Sequence, residues 1–108
     1  MEVYEVSEEI EKRIHILDKM RSTLKKRGED RAAAISKYDT ELAKKIVELK
    51  AQGVPSTIVE KVAKGEVASF RLELELAESA YKSVTSNMNA VMAEMNAYQS
   101  INRHLDAK

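Results

Sequence analysis

The chain has 108 residues, with 18 Lys and Arg against 18 Asp and Glu, and it contains no cysteine. This length suits a single domain, and the balanced charge creates no net field that would attract nucleic acid or a membrane surface. The missing cysteine excludes disulfides, thiolate metal ligands and a thiol nucleophile. Charged residues make up 33% of the chain and aromatic residues only 5%, which together with the few Gly and Pro residues is typical of long helices.

Signals for export or membrane insertion are missing from the sequence. Residues 1–11 are acidic and lack an apolar run, so no secretory signal peptide is predicted. No stretch approaches the roughly 20 apolar residues that a membrane-spanning helix needs. We therefore expect a cytoplasmic protein without membrane association.

The first periodic segment covers residues 7–52 and is predicted to form one long helix, with Ser7 suited to be its N-cap. Its apolar residues form one helical set before residue 25 and a second set from Ile35 to Leu49, which is four residues out of phase. Such an insertion is a stutter, which unwinds a coiled coil locally without ending it. Gly28 lies in the break and costs a helix only about 1 kcal/mol relative to Ala, so we favour a continuous helix, bent or straight. A first arm that folds back at Gly28 is the alternative.

Residues 53–65 are predicted to form a turn. Pro55 ends the first arm because it lacks an N–H and disfavours helical angles in the residue before it. A short helix then runs from Thr57 to Lys64, with Ser56 as its cap and Gly65 at its end.

The same stretch could be the turn of a DNA-reading helix-turn-helix. Its second helix would then have to offer polar and basic side chains to base edges, but it offers few and includes an acid. We favour a hairpin tip in which Ile58 and Val62 pack onto the ends of both arms.

Residues 66–106 have the strongest periodicity of the chain. Apolar or aromatic residues recur at alternating steps of three and four, with Asn102 as the one interruption, at Val67, Phe70, Leu74, Ala77, Tyr81, Val84, Met88, Val91, Met95, Tyr98 and Leu105. This heptad spacing predicts a second long helix with a coiled-coil seam.

The predicted fold class is all-α: a long antiparallel, coiled-coil-like helical hairpin with a short helix at its tip. We expect one helical domain over residues 1–108, with an arm at 7–52, a tip at 53–65 and an arm at 66–106. If the chain reverses at the middle of the tip, His15 lies level with Arg103 and His104. The same pairing places three acids opposite Lys44 and Lys45, namely Glu73, Glu75 and Glu78. A hairpin has a single seam and buries little apolar surface, so we expect assembly into a bundle.

Spare apolar residues lie off the main seam and predict a second stripe through which copies of the chain associate as a homo-oligomer. These residues are Ile14, Ile46, Leu72, Leu76, Met92 and Ile101.

A candidate surface for another protein lies in the tract from residue 83 to residue 102, where asparagines alternate with methionines. Methionine packs adaptably and is common at binding surfaces, and an Asn at an a position often fixes register or oligomeric state. The residues of this predicted partner surface are Met88, Met92, Met95, Asn96 and Asn102. The alternative is a bundle core with a polar outer face.

A basic cluster within residues 19–31 is the candidate for nucleic-acid contact. Its residues are Arg21, Lys25, Lys26, Arg27 and Arg31, with Lys19 beside them. Phosphate binding needs cations grouped on one face, and these residues are spread around a helix without interleaved aromatic residues. A solvated charged stretch is the alternative that we favour.

No catalytic residue, metal site or cofactor is predicted. The sequence has no glycine-rich phosphate loop and no nucleophile motif. His15 and His104 could share a metal at one level of the hairpin, but the heptad pattern places both at outward positions.

The run "YDTELAKKIVELKAQGVPSTIVEKVAKGE", followed by "FRLELELAESAYKSV" and a final "INRHL", resembles small helical proteins of phages and prophages of Gram-positive bacteria. The resemblance rests on a Gly-x-Pro-x turn, a short helix and an Ala-Glu-x-x-Tyr-Lys helix, with these residues: Gly53, Pro55, Ser56, Ile58, Val62, Lys64, Gly65, Ala77, Glu78, Tyr81 and Lys82. It implies an accessory role among early genes near replication and recombination functions, in the cytoplasm of a bacterial host. It implies no catalytic residues.

From these observations the sequence predicts a non-enzymatic phage or prophage accessory protein that self-associates and acts through an unknown protein partner. A nucleic-acid-binding accessory of a replication or recombination module is the first alternative. A structural hairpin protein of the chaperone or secreted-bundle kind is the second alternative.

Overall fold

The structure, a computed structural model, describes residues 1–107 and consists of three helices: α1 at Val3–Ala51, α2 at Val59–Glu66 and α3 at Ala68–Asp106. The predicted all-α class, with two long helices and a short helix between them, is confirmed. The described residues include no strand.

The long helix α1 runs without interruption through Gly28 and begins at Val3, four residues before the predicted start. Gly28 is partly buried, and a Cβ added there would lie 3.5 Å from the ring of Tyr81. This is an ordinary van der Waals distance, so an alanine would also fit at this point, where the hydrophobic pattern changes phase.

The C-terminus of α1 is closed by Gly53, which has a φ of 84°. The N–H of Gly53 donates to the carbonyl of Lys50, and the N–H of Val54 donates to the carbonyl of Leu49. These two bonds form a Schellman motif, in which a glycine adopts the left-handed conformation that other residues avoid. The first arm therefore ends because of Gly53, and Pro55 lies beyond the cap.

The short helix α2 begins later than predicted and continues through Gly65. Its first turn starts where the carbonyl of Pro55 accepts the N–H groups of Ile58 and Val59, and no side-chain cap is present. The predictions that Ser56 caps this helix and that Gly65 ends it were therefore wrong. A single residue, the buried Val67, separates α2 from α3.

Residues Arg27–Tyr81 form one compact unit, which we call the turn unit. Two hydrophobic clusters fill it, one around buried Tyr38, Val67 and Leu74 and one around buried Leu49, Val59 and Ala63. The buried residues of α2 are Val59 and Ala63, whereas Ile58 is exposed, so its predicted packing was wrong. Within this unit the chain returns antiparallel along α1, and α2 is the first part of the returning segment.

The second compact unit joins Met1–Lys26 to the chain from Lys82 onward, and we call it the terminal unit. Here Val6 and Leu17 are buried, and other seam residues such as Met20, Met88 and Met95 are half-buried. Its α1 and α3 segments also run antiparallel. Arg13 contacts Glu94 and Tyr98, whereas Met20, which comes later in α1, lines a groove with Val84, which comes earlier in α3.

The register of pairing differs from the predicted one. Because Arg13 contacts Glu94, His15 lies level with a point on α3 that is roughly 15 Å from His104. In the turn unit Lys45 pairs with Glu66 at 3.5 Å, so Lys44 and Glu75 do not face each other. The prediction placed the chain reversal at the centre of the tip. In the structure α2 already belongs to the returning segment, so the chain reverses earlier, near Gly53.

Candidate functional site

Arginine–tyrosine contacts recur along the seam in both units. In the terminal unit the guanidinium of Arg13 lies 4.5 Å from the ring centre of Tyr98, and its Nε donates to Glu94 at 3.0 Å. Arg13 also donates a hydrogen bond to the carboxylate of Glu9 at 2.7 Å, and this bond is the main reason that the pKa of Arg13 is raised. The cation is thereby held at a position where the heptad would otherwise place an apolar residue.

Similar contacts occur twice in the turn unit. Arg31 lies 5.8 Å from the ring centre of Tyr81 and pairs with Glu78 at 3.7 Å. Arg71 lies 5.6 Å from the ring centre of Tyr38, and its hydrogen bond to Glu75 is the main cause that raises its pKa. Each contact joins an arginine of one helix to a tyrosine of another and so fixes orientation more than it adds stability. None of these clusters brings a base together with a nucleophile.

The predicted nucleic-acid residues are partly neutralised by neighbouring acids. Arg21 pairs with Asp18 at 3.6 Å and Arg27 pairs with Asp30 at 3.5 Å. Arg31 faces the seam, where it pairs with Glu78. Lys25 and Lys26 are exposed, and the described residues 1–107 provide no ion pair for either one. The structure therefore leaves two adjacent lysines available to an anion, and they point to different sides of α1.

The predicted partner surface divides into an inner and an outer part. Met88, Met95 and Asn102 lie half-buried on the seam of the terminal unit, whereas Met92 and Asn96 are exposed beside it. Only the outer part is available to another protein without opening the unit.

Asn102 occupies a seam position, and its Oδ1 atom is buried without a hydrogen-bond partner among the described residues. A buried acceptor without a partner destabilises the fold by about 1–3 kcal/mol. The residue thus interrupts the apolar seam, as the heptad pattern predicted.

The predicted second stripe is largely exposed, with one exception. Ile14, Leu72, Leu76, Met92 and Ile101 are exposed, whereas Ile46 packs against the cluster of Leu49, Val59 and Ala63. Ile46 is half-buried within the turn unit and is therefore the least exposed residue of the predicted stripe. Helical geometry also separates Met92 and Ile101, which lie on opposite flanks of α3.

A further feature of α3 was missed by the sequence reasoning, although the sequence contains its signal. The positions that point away from the seam repeat every three and four residues, and none of them is charged from Ser69 to Ser100. We call this set the outer face of α3: Ser69, Leu72, Leu76, Ser79, Ser83, Ser86, Ala90, Ala93, Ala97 and Ser100. All of these residues are exposed.

The corresponding outward positions of α1 are very different. They hold Glu8, Lys12, Lys19, Lys26, Asp30, Lys37 and Lys44, together with a few uncharged residues. Charge is what a solvated helix surface normally carries. The outer face of α3 thus has the composition of a surface that packs against something, whereas that of α1 has the composition of a surface facing water.

Within the described residues 1–107, no three His, Cys, Asp or Glu side chains lie close enough to hold a metal ion. His15 and His104 are exposed, as the heptad pattern predicted. No helix of the described chain is both long and apolar enough to cross a membrane.

Comparison with known proteins gave no relative: no family model, no curated protein and no solved structure matches this chain.

Proposed function

We propose that this protein is a non-enzymatic accessory protein that self-associates and acts through protein–protein contacts. The observation that supports the proposal best is the uncharged outer face of α3, which includes Leu72 and Leu76 with 57% and 62% of their surface exposed. Continuous faces of this kind on a helix are typical of surfaces that bind another helix. The resemblance to small helical proteins of phages and prophages supports an accessory role in the cytoplasm of a bacterial host.

The test is the mass of the full-length protein in solution, measured by light scattering after size exclusion over a wide range of concentrations. We expect a dimer or a larger assembly whose population falls on dilution. A monomer at every concentration would contradict the self-association.

A second candidate function, nucleic-acid binding, is favoured by Lys25 and Lys26, which are exposed beside Arg27. Anisotropy of labelled single- and double-stranded DNA, measured over a salt series, would test it. If the candidate is right, affinity falls steeply with salt and is lost when all three residues become Glu. The matched control changes Lys37, Lys44 and Lys50 to Glu, which alters net charge equally elsewhere on α1. Equal effects of the two variants would indicate only non-specific attraction.

A further inference from the structure

We propose that a second copy of this chain covers the outer face of α3, and that the two α3 helices lie antiparallel about a two-fold axis near Met88. The inference rests on the proposed self-association and adds to it the face, the orientation and the register.

The outer face of α3 lacks charged residues over most of its length. In a chain with 33% charged residues, the outer face of α3 carries no charge between Ser69 and Ser100, a length of about 46 Å. Its two large apolar residues, Leu72 and Leu76, are more than half exposed, and the rest of the face is Ser and Ala. Small side chains allow two helix backbones to approach closely, and with the axis near Met88 Leu76 of one copy lies level with Ser100 of the other, while Leu72 lies level with His104.

The charges along the flanks of this face are complementary between two antiparallel copies. One flank carries Glu75, Lys82, Asn89, Asn96 and Arg103. With the axis near Met88, Glu75 lies opposite Arg103 of the second copy, and symmetry produces this attractive pair twice. Asn89 then lies opposite Asn89 of the second copy, and no like charges meet on this flank.

The other flank agrees with the same register. It carries Glu73, Ala80, Asn87, Glu94 and Ile101. With the axis near Met88, Asn87 lies opposite itself and Glu94 lies opposite Ala80 of the second copy. Neither flank places two carboxylates or two cations together.

Neighbouring registers and the parallel orientation are less favourable. Moving the partner by one heptad in one direction places Glu73 opposite Glu94, and moving it in the other direction places Lys82 opposite Arg103. A parallel partner in register gains no pair of opposite charges, because the counterpart of Glu75 becomes Ala80. Charges at the edge of an interface select orientation and register in this way, since like-charge contacts cost free energy.

Glu75 already accepts a hydrogen bond from Arg71 of its own chain at 3.1 Å. A carboxylate has acceptor sites for two guanidinium groups, so Arg103 of the second copy can share it. Arg103 itself contacts Ser100 at 3.3 Å and is exposed, which leaves its donors available.

The absence of cysteine makes the register directly measurable, because a single introduced cysteine is the only site for a thiol-specific reagent. We would treat the full-length Asn89→Cys and Ser79→Cys variants with a short bismaleimide linker. Residue 89 faces its own counterpart across the axis, so Asn89→Cys is expected to form covalent dimers in high yield. Residue 79 lies on the same face, but its counterpart is about 27 Å away, so Ser79→Cys should remain uncross-linked.

The outcomes separate the register from self-association. If Ser79→Cys cross-links and Asn89→Cys does not, while light scattering still shows an assembly, the proposed register is wrong and self-association stands. If light scattering shows a monomer and neither variant cross-links, self-association itself is wrong. Both substitutions replace exposed residues, and helical circular dichroism would verify the fold of each variant.

A charge exchange tests the same pairing without a linker. Arg103→Glu is expected to weaken the dimer about tenfold, because two attractive pairs become repulsive. Adding Glu75→Arg should restore the dissociation constant to within about threefold of the unchanged protein. The control Glu73→Arg lies opposite Ile101 and should leave the dissociation constant nearly unchanged. Failure of the double variant to recover, with helicity intact, would overturn the register.

Discussion

The turn unit and the terminal unit differ in what fills the seam between their helices. In the turn unit the seam holds buried Tyr38, Leu49, Val67 and Leu74, and α2 adds further buried residues. In the terminal unit, among the residues that the structure describes, only Val6 and Leu17 are buried, and the half-buried remainder of the seam mixes apolar residues such as Val84 and Val91 with methionines, Arg13 and Asn102. We conclude that apolar packing stabilises mainly the turn unit, while the terminal unit depends more on adaptable and polar contacts.

The largest expected effect tests this difference with two leucines of similar burial. Leu74, 6% exposed, lies within a cluster of buried residues, whereas Leu17, 8% exposed, belongs to neither of the two buried clusters. Leu74→Ala should lower the free energy of unfolding by about 3–4 kcal/mol, because the packed cluster cannot collapse into the cavity. Leu17→Ala should cost about 2 kcal/mol, because its neighbours can move inward. Equal losses in chemical denaturation would contradict the comparison.

The next effect concerns the tightness of packing under α2. Ala63 is completely buried against Leu49 and Val59, so the larger side chain of Ala63→Leu has no space. We expect a loss of about 1–3 kcal/mol in the free energy of unfolding. The control Ala33→Leu, on the exposed side of α1 in the same unit, should change stability by less than about 0.5 kcal/mol. A tolerated Ala63→Leu would mean that α2 is not firmly packed on α1.

A third change should make the terminal unit more like the turn unit. Asn102→Leu removes the buried oxygen that has no partner and adds apolar surface to the seam. The free energy of unfolding should rise by about 1 kcal/mol, and amide exchange in the terminal unit should slow. Asn96→Leu, at an exposed position, should produce neither effect. A loss of stability for Asn102→Leu would mean that the asparagine is needed for the register of this seam.

The fold class could be predicted from the sequence because helical periodicity is a local signal, and the heptad from Val67 to Leu105 consists of buried or half-buried residues. The continuity of α1 through Gly28 was predicted for the same reason, since one glycine costs less than the helix gains. Pairing register could not be predicted in this way. It depends on where the chain reverses, and that point was set by the left-handed Gly53 rather than by Pro55.

The candidate surfaces were harder to predict than the fold. Periodicity assigned Ile46 to the second stripe, but α2 folds back and leaves it half-buried, which depends on the position of the turn. The outer face of α3 was not predicted because large apolar residues are the usual sign of a packed face, whereas this face is defined by the absence of charge at its outward positions. Comparing the outward positions of α1 and α3 would have revealed it.

The smallest expected effect is a pH dependence that belongs to the terminal unit. The hydrogen bond from Arg13, followed by that from Lys12, lowers the pKa of Glu9. Because the folded pKa lies below the unfolded one, this contact stabilises the fold above the ordinary pKa of the carboxyl group. The stabilisation is lost as the pH falls through the lowered value.

Glu9→Gln should therefore unfold at a slightly lower temperature than the unchanged protein at pH 7, and the difference should shrink as the pH falls through the lowered pKa of Glu9. The exposed neighbour Glu8 provides the control, since Glu8→Gln removes a carboxylate one residue away but leaves Arg13 and its contact to Glu94 intact. A difference between Glu9→Gln and the unchanged protein that persists in acid would assign the effect of the substitution to packing rather than to charge. In that case the terminal unit would resemble the turn unit more closely than its polar seam indicates.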